Sequence, residues 1–123
     1  MRIAFIAATA LAALCLAGTA RADGDAAAGK RVFAQCAICH SPASGRNMVG
    51  PSLFGVFGRT SASVPNFSYS AAMKNANKTW DAAALDIYLT DPKALVPGTK
   101  MIFPGLKSAD DRANIIAYLA TLK

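Results

Sequence analysis

Two cysteines spaced three apart, followed at once by the chain's only histidine, constrain this sequence more than any other feature: Cys36-Ala37-Ile38-Cys39-His40. The pattern is C-x-x-C-H, the attachment site of a c-type haem. Two thiols at this spacing add across the two vinyl groups of a haem as permanent thioethers. The imidazole that follows is then held within reach of the iron from one face. Other uses of a C-x-x-C pair fit less well. A zinc site needs two further Cys or His ligands, and the chain offers only Cys15 and no second histidine. A redox dithiol belongs beside a βαβ pattern, and none is visible. A disulfide across so short a loop would contribute little.

The N-terminus points to a compartment where such loading takes place. Met1 and Arg2 form a short basic start, residues 3–16 are an apolar run, and Ala20-Arg21-Ala22 has the small-x-small form of a cleavage site. This divides the chain into a cleaved secretory signal, 1–22, and one domain, 23–123, of 101 residues. Cys15 leaves with the signal, so both remaining cysteines serve the haem. Leu14 is a poor fit for the small residue a lipoprotein site wants before its cysteine. A retained anchor is the better rival, since residues 3–20 almost span a bilayer. An anchored form, however, would have only residues 21–25 as its tether. Export puts the motif in the periplasm, outside a bacterial inner membrane.

About 100 residues make one small domain with a limited core of its own. A central haem would supply a large apolar body for side chains to pack around. Three core helices are expected. The first covers about residues 25–37, with Asp23 or Asp25 as N-cap and Val32, Phe33 and Cys36 on one side. The second begins near Thr79 to Asp81, carries Leu85, Tyr88 and Leu89, and ends at Pro92, which lacks a backbone donor. The third opens with Ser108-Ala109-Asp110-Asp111, acids in the first turn suiting the helix dipole, and presents Ile115, Ile116, Tyr118, Leu119 and Leu122. A short helix is expected around residues 70–75. Residues 41–66 are rich in Gly, Pro and Ser, with no sustained strand alternation. The fold class is therefore all-α, with long ordered loops wrapped around one cofactor.

The other face of the iron decides between an electron carrier and an enzyme. With His40 alone, a bis-histidine centre is excluded. Met48, Met73 and Met101 remain after processing. Met48 follows His40 too closely to wrap around the haem edge with ease. Met73 falls in the short helix, where a methionine is more often a core filler. Met101 lies in Pro97-Gly98-Thr99-Lys100-Met101-Ile102-Phe103-Pro104-Gly105, a stiff loop bracketed by two Pro/Gly pairs. It is the favoured sixth ligand, giving a His/Met centre with a raised potential.

These residues resemble a known family, class I cytochrome c, close to the bacterial cytochrome c2 and mitochondrial branch. The likeness covers essentially the whole processed chain. It rests on Gly29, Phe33, the motif at 36–40, Gly50-Pro51, Gly58-Arg59, Tyr69, Trp80, Tyr88-Leu89, Pro92-Lys93, the loop at 97–103 and Tyr118-Leu119.

The resemblance implies roles for particular positions. Gly29 lets the first and last helices cross closely, with Phe33 and Tyr118 nearby. The carbonyl of Pro51 accepts a hydrogen bond from His40, fixing the ring. Arg59, Tyr69 and Trp80 surround buried haem propionates with charge and hydrogen bonds. Tyr88 and Thr99 place hydroxyls near the methionine sulfur and the inner propionate, and Phe103 closes the pocket. Two positions depart from the mitochondrial form: Met73 replaces an asparagine of the internal polar network, and Gln35 stands where a lysine precedes the first cysteine. The segment from His40 to Gly50 is also slightly shorter.

The whole chain carries a net +6, and removal of Arg2 and Arg21 leaves 11 basic and 7 acidic residues, or +4. A basic balance can signal nucleic acid, but no such binding motif is present. Lys93, Lys100 and Lys107 match positions near the exposed haem edge in the family, with Lys30 and Arg31 as further contributors. Such a ring suits acidic patches on redox partners, which the resemblance gives as the cytochrome bc1 complex and a terminal oxidase or reaction centre. The expected protein is a monomeric periplasmic electron carrier, not an enzyme. Its rival is an open-site haem protein, a peroxidase-like enzyme or gas binder, for which no distal catalytic pair can be assigned.

Overall fold

In the computed structural model, which describes residues 24–123, Asp25 starts the first helix. The expected signal segment, with Cys15, lies outside the described residues. Asp25 Oδ1 accepts from the backbone N–H groups of Ala27 and Ala28 at 2.8 and 3.3 Å, satisfying two donors that a helix start leaves free. Helix α1 spans Ala26–Val32 and tightens into a 3₁₀ turn at Phe33–Gln35. The cysteine motif follows directly, its turn closed by bonds from Cys36 N to Phe33 O (2.8 Å) and His40 N to Cys36 O (2.9 Å).

The later helices start from caps of the same kind. Ser70 caps α2 (Ala71–Lys74), Asp81 caps α3 (Ala82–Thr90), and Ser108 caps α5 (Ala109–Leu119). Between α3 and α5 lies an element that the sequence reading lacked, α4 (Pro92–Leu95). Proline does stop α3, as expected. It also occupies the first position of the next helix, where its missing N–H costs nothing and its fixed φ is already helical. Asp91 turns the corner, accepting from Ala94 N at 3.3 Å. Leu122, assigned to the last helix from the sequence, lies past its end, where its carbonyl accepts from Gly55 N at 2.7 Å.

Helices α1 and α5 make the most extensive helix–helix contact. Their approach depends on glycine: a Cβ on Gly29 would stand 1.9 Å from the Asn114 carbonyl oxygen and 2.8 Å from Tyr118 Cβ. Phe33 and Tyr118 meet beside the crossing, their ring centres 5.2 Å apart and their planes tilted by 57°. From there the core runs through Leu85, Tyr88 and Leu89 of α3 to Val96, Leu106, Ile115 and Leu119. Each fully buried aliphatic side chain of this kind is worth about 1.5–3 kcal/mol.

The long segment between the motif and α2 is ordered by its own polar contacts. Ser52 Oγ donates to Ala43 O at 2.6 Å, and Asn47 Nδ2 donates to Pro65 O at 3.0 Å. One antiparallel bridge, Thr60 to Thr79, ties the segment to the start of α3, and no strand is formed among the described residues. Nor is any described helix long and apolar enough to cross a membrane.

Candidate haem-binding site

The helices and the long loop enclose a large, mainly apolar cavity of about 450 Å³. All eleven residues singled out from the sequence border it: Cys36, Cys39, His40, Pro51, Arg59, Tyr69, Trp80, Tyr88, Thr99, Met101 and Phe103. Cys36 and Cys39 are not joined in a disulfide, which leaves both sulfurs for the vinyl groups of a haem. No cluster of three His, Cys, Asp or Glu side chains suited to a metal ion occurs among the described residues.

His40 is held from behind. Its Nδ1 lies 2.7 Å from the Pro51 carbonyl, which can only accept, so Nδ1 carries the proton and Nε2 keeps a free lone pair. Burial lowers the imidazole pKa and the Arg59 charge adds to this, with the Pro51 bond opposing. The balance favours a neutral ring, the form that ligates a metal. The ring also lies against Gly50, where a Cβ would come 2.3 Å from His40 Cε1. In the sequence Gly50 stands out only as half of the family's Gly-Pro pair; this contact is the physical reason for it.

Of the three methionines, Met73 and Met101 border the cavity and Met48 does not. Met73 sits in α2 and packs on the core. Met101 differs in its surroundings. The Tyr88 hydroxyl donates toward its sulfur at 3.8 Å, and its own N–H donates to Thr99 Oγ1 at 3.3 Å. Burial raises the Tyr88 phenol pKa, partly offset by the Thr99 hydroxyl, so the donor stays protonated.

The polar part of the wall is incomplete in an informative way. Arg59 Nη1 donates to the carbonyls of Ser52 (3.1 Å) and Phe54 (3.0 Å), but its Nε is buried without a protein partner. A buried guanidinium N–H left unpaired is costly and calls for an anion. A haem carboxylate is such a partner, so the donor set fits the group that the motif implies. Tyr69 OH accepts from Val64 N at 3.1 Å, leaving its own proton to give. Trp80 is buried and stacks on Tyr88 at 4.8 Å.

The three expected docking lysines are exposed, but two are engaged. Lys100 Nζ donates to the Ser68 carbonyl and lies 4.8 Å from the centre of the Phe67 ring. Lys107 Nζ donates to Thr90 O at 3.1 Å and Pro104 O at 3.4 Å. Beside them, Val49 and Ile102 on the cavity rim are 78% and 98% exposed, an apolar margin at the opening. Phe67 also borders the cavity and was missed from the sequence.

Comparison with known proteins identifies the family. The family model described as cytochrome c matches residues 26–123. The chain is 52% identical over 111 residues to cytochrome c2 of Rhodomicrobium vannielii, covering 89% of each sequence. It is 57% identical over 100 residues to the c-type cytochrome cy of Rhodobacter capsulatus, covering 80% of this chain and 50% of that one. Among solved structures, cytochrome cH from Methylobacterium extorquens superposes with a TM-score of 0.76 at 46% identity, covering 80% of this chain and 99% of that one. The chain thus belongs to the cytochrome c family, in its class I cytochrome c2 branch, and is an electron-transfer protein with one haem c bound covalently through its cysteines.

Proposed function

We propose that the iron of this haem is held by His40 and Met101, and that the chain carries single electrons between proteins in the periplasm. The observation that carries the reading is that one apolar cavity is bordered at once by Cys36, Cys39, the only histidine and Met101. When bound, the haem supplies a one-electron iron couple, which a thioether ligand biases toward the reduced state.

The chain's own residues do the rest. Pro51 fixes the His40 ring, and Tyr88 directs a hydroxyl at the Met101 sulfur. Arg59, Tyr69 and Trp80 receive the propionates, Thr99 supports the methionine loop, and Phe103 closes the cavity. With both ligands retained and water excluded, little has to rearrange when an electron moves. Residues 1–22 act as the cleaved export signal, and 23–123 work as a monomer. Partners of the cytochrome bc1 and terminal oxidase or reaction-centre kind dock at the rim, drawn by Lys93 and its neighbours.

The test is the visible spectrum of the oxidised, haem-loaded protein beside that of Met101→Ala. A weak far-red sulfur-to-iron band in the wild type, lost in the variant, is expected. A wild type that lacks the band and binds carbon monoxide readily when reduced has an open sixth position. That outcome replaces the carrier reading with the enzyme or gas-binding one.

A further inference from the structure

Among the described residues Arg112 and Asp86 form the one ion pair, Nε to Oδ1 at 2.7 Å. The Arg112 side chain is 14% exposed, and its fork reaches further than the carboxylate. Nη1 donates to the carbonyls of Leu106 at 2.9 Å and Lys107 at 3.1 Å. One guanidinium therefore joins α5, α3 and the segment that follows Met101.

That segment is also fastened to the end of α3. Leu106 N donates to Leu89 O at 2.7 Å, and Lys107 Nζ reaches Thr90 O. Gly105 has φ +101°, and a Cβ there would stand 2.2 Å from Thr90 O. On the other side of Met101, Thr99 N bonds to Val96 O at 3.0 Å. Between these anchors, residues 100–105 make no backbone–backbone hydrogen bond with any described residue. Within the loop only side-chain contacts hold it: from Lys100 to the Ser68 carbonyl, from Lys107 to the Pro104 carbonyl, from Met101 N–H to Thr99 Oγ1 and from the Tyr88 hydroxyl to the sulfur. The backbone around Met101 is thus fixed at its two ends.

We propose that Arg112 is a positioning residue for Met101: its guanidinium, oriented by Asp86, fixes the end of the methionine loop and keeps the sulfur at the iron. The inference rests on Met101 being the ligand. Arginine suits the task because a rigid planar fork can serve three acceptors at once, whereas a lysine ammonium on a flexible stem cannot. Removing the fork leaves two carbonyls and a carboxylate without their donor. Asp86 is half exposed, so its part is orientation more than energy.

The test uses exogenous imidazole, which competes with Met101 for the iron. Its apparent affinity scales with the fraction of molecules in which the sulfur has left. Haem-loaded wild type is titrated beside Arg112→Gln, Arg112→Lys, Asp86→Ala and Asn114→Ala. Arg112→Gln is expected to bind imidazole about tenfold more tightly, the worth of one lost charged hydrogen bond. Arg112→Lys also tightens it, which a role of net charge alone would not produce. Asp86→Ala follows in the same direction by a smaller factor, and it decides the matter should Arg112→Gln fail to load haem. Asn114→Ala removes the bond from Asp25 N to Asn114 Oδ1, which ties α5 to the start of α1 and touches no residue of the loop. It should lower thermal stability and leave imidazole affinity unchanged. Wild-type affinity in Arg112→Gln and Asp86→Ala overturns the proposal, as does equal tightening in Asn114→Ala. If the wild type lacks the far-red sulfur band, the ligand reading itself has failed, before any variant is compared.

Discussion

The carbonyl oxygen of Pro51 sits 2.7 Å from Nδ1 of His40, eleven residues back along the chain. That contact selects the tautomer, orients the ring and leaves Nε2 as the only nitrogen free to ligate. Gly50 packs against the face of the same ring, so the Gly-Pro pair acts as a seat for the imidazole.

The seat has no room for a methyl group. Gly50→Ala places a Cβ 2.3 Å from His40 Cε1 and 2.7 Å from Nδ1, so the ring must tilt or its loop must move. Overpacking of this kind costs about 1–3 kcal/mol. Chemical denaturation of the haem-loaded variant should show that loss, together with a shift of the Soret band. An unchanged spectrum would mean that the loop yields and the ring does not.

Two glycine-to-alanine changes separate close approach from backbone conformation. Gly29→Ala meets the Asn114 carbonyl at 1.9 Å, and backbone atoms cannot swing aside. A loss of about 3 kcal/mol is expected, at the upper end of overpacking costs. Gly45 has φ +70° but nothing within 4 Å of its would-be Cβ, so Gly45→Ala should cost only the left-handed strain of about 1 kcal/mol. Thermal melts of the two variants in parallel give the order; equal losses would contradict the tight crossing.

Features whose cause lies within a few residues were legible in the sequence. The motif at 36–40 declares its chemistry by spacing, and Asp25, Asp81 and Ser108 cap the helices as their types suggest. The site residues were placed mainly by resemblance. Features set by distant contact were harder to see. Pro92 read as a stop, because its second role as the first residue of α4 depends on Asp91 turning the corner. Lys100 and Lys107 read as surface charges, since the Ser68 and Thr90 carbonyls they bond to lie 32 and 17 residues away. Arg112 carried no signal at all, because its acceptors meet only once α3, α5 and the methionine loop have come together.

Tyr88→Phe isolates one oxygen. The hydroxyl points the positive end of its dipole at the Met101 sulfur from 3.8 Å, which favours the reduced, electron-rich state of the centre. Its removal should lower the reduction potential while stability changes by no more than about 1 kcal/mol. Voltammetry on the haem-loaded variant reads the first, and denaturant titration the second. A potential that stays put or rises would show that the hydroxyl does not act on the sulfur.

Arg59→Gln removes the cation whose buried Nε lacks a protein partner, along with donors to Ser52 O and Phe54 O. Ser52 is buried, so leaving its carbonyl without a donor costs about 1–3 kcal/mol, whereas the exposed Phe54 carbonyl can turn to water. A positive charge also favours the reduced iron, so the potential should fall as well. If the potential were unaltered in a variant that had lost stability, Arg59 would be a brace for the loop and nothing more.

Lys93 in α4 and Lys107 beyond the methionine loop are both exposed cations, but only Lys107 bonds to backbone carbonyls, at Thr90 and Pro104. Lys107 also sits at the C-terminal end of α3, where a positive charge meets the helix dipole favourably. The two should therefore separate under substitution. Lys93→Gln is expected to slow electron transfer with a purified cytochrome bc1 complex several-fold at low salt, while the melting temperature stays at its wild-type value. Lys107→Gln should lower the melting temperature as well. Raising the ionic strength past about 0.15 M, where the screening length falls to about 8 Å, should largely erase the rate difference and leave the stability difference in place. A Lys93→Gln rate equal to wild type at every salt concentration would remove this lysine from the docking surface.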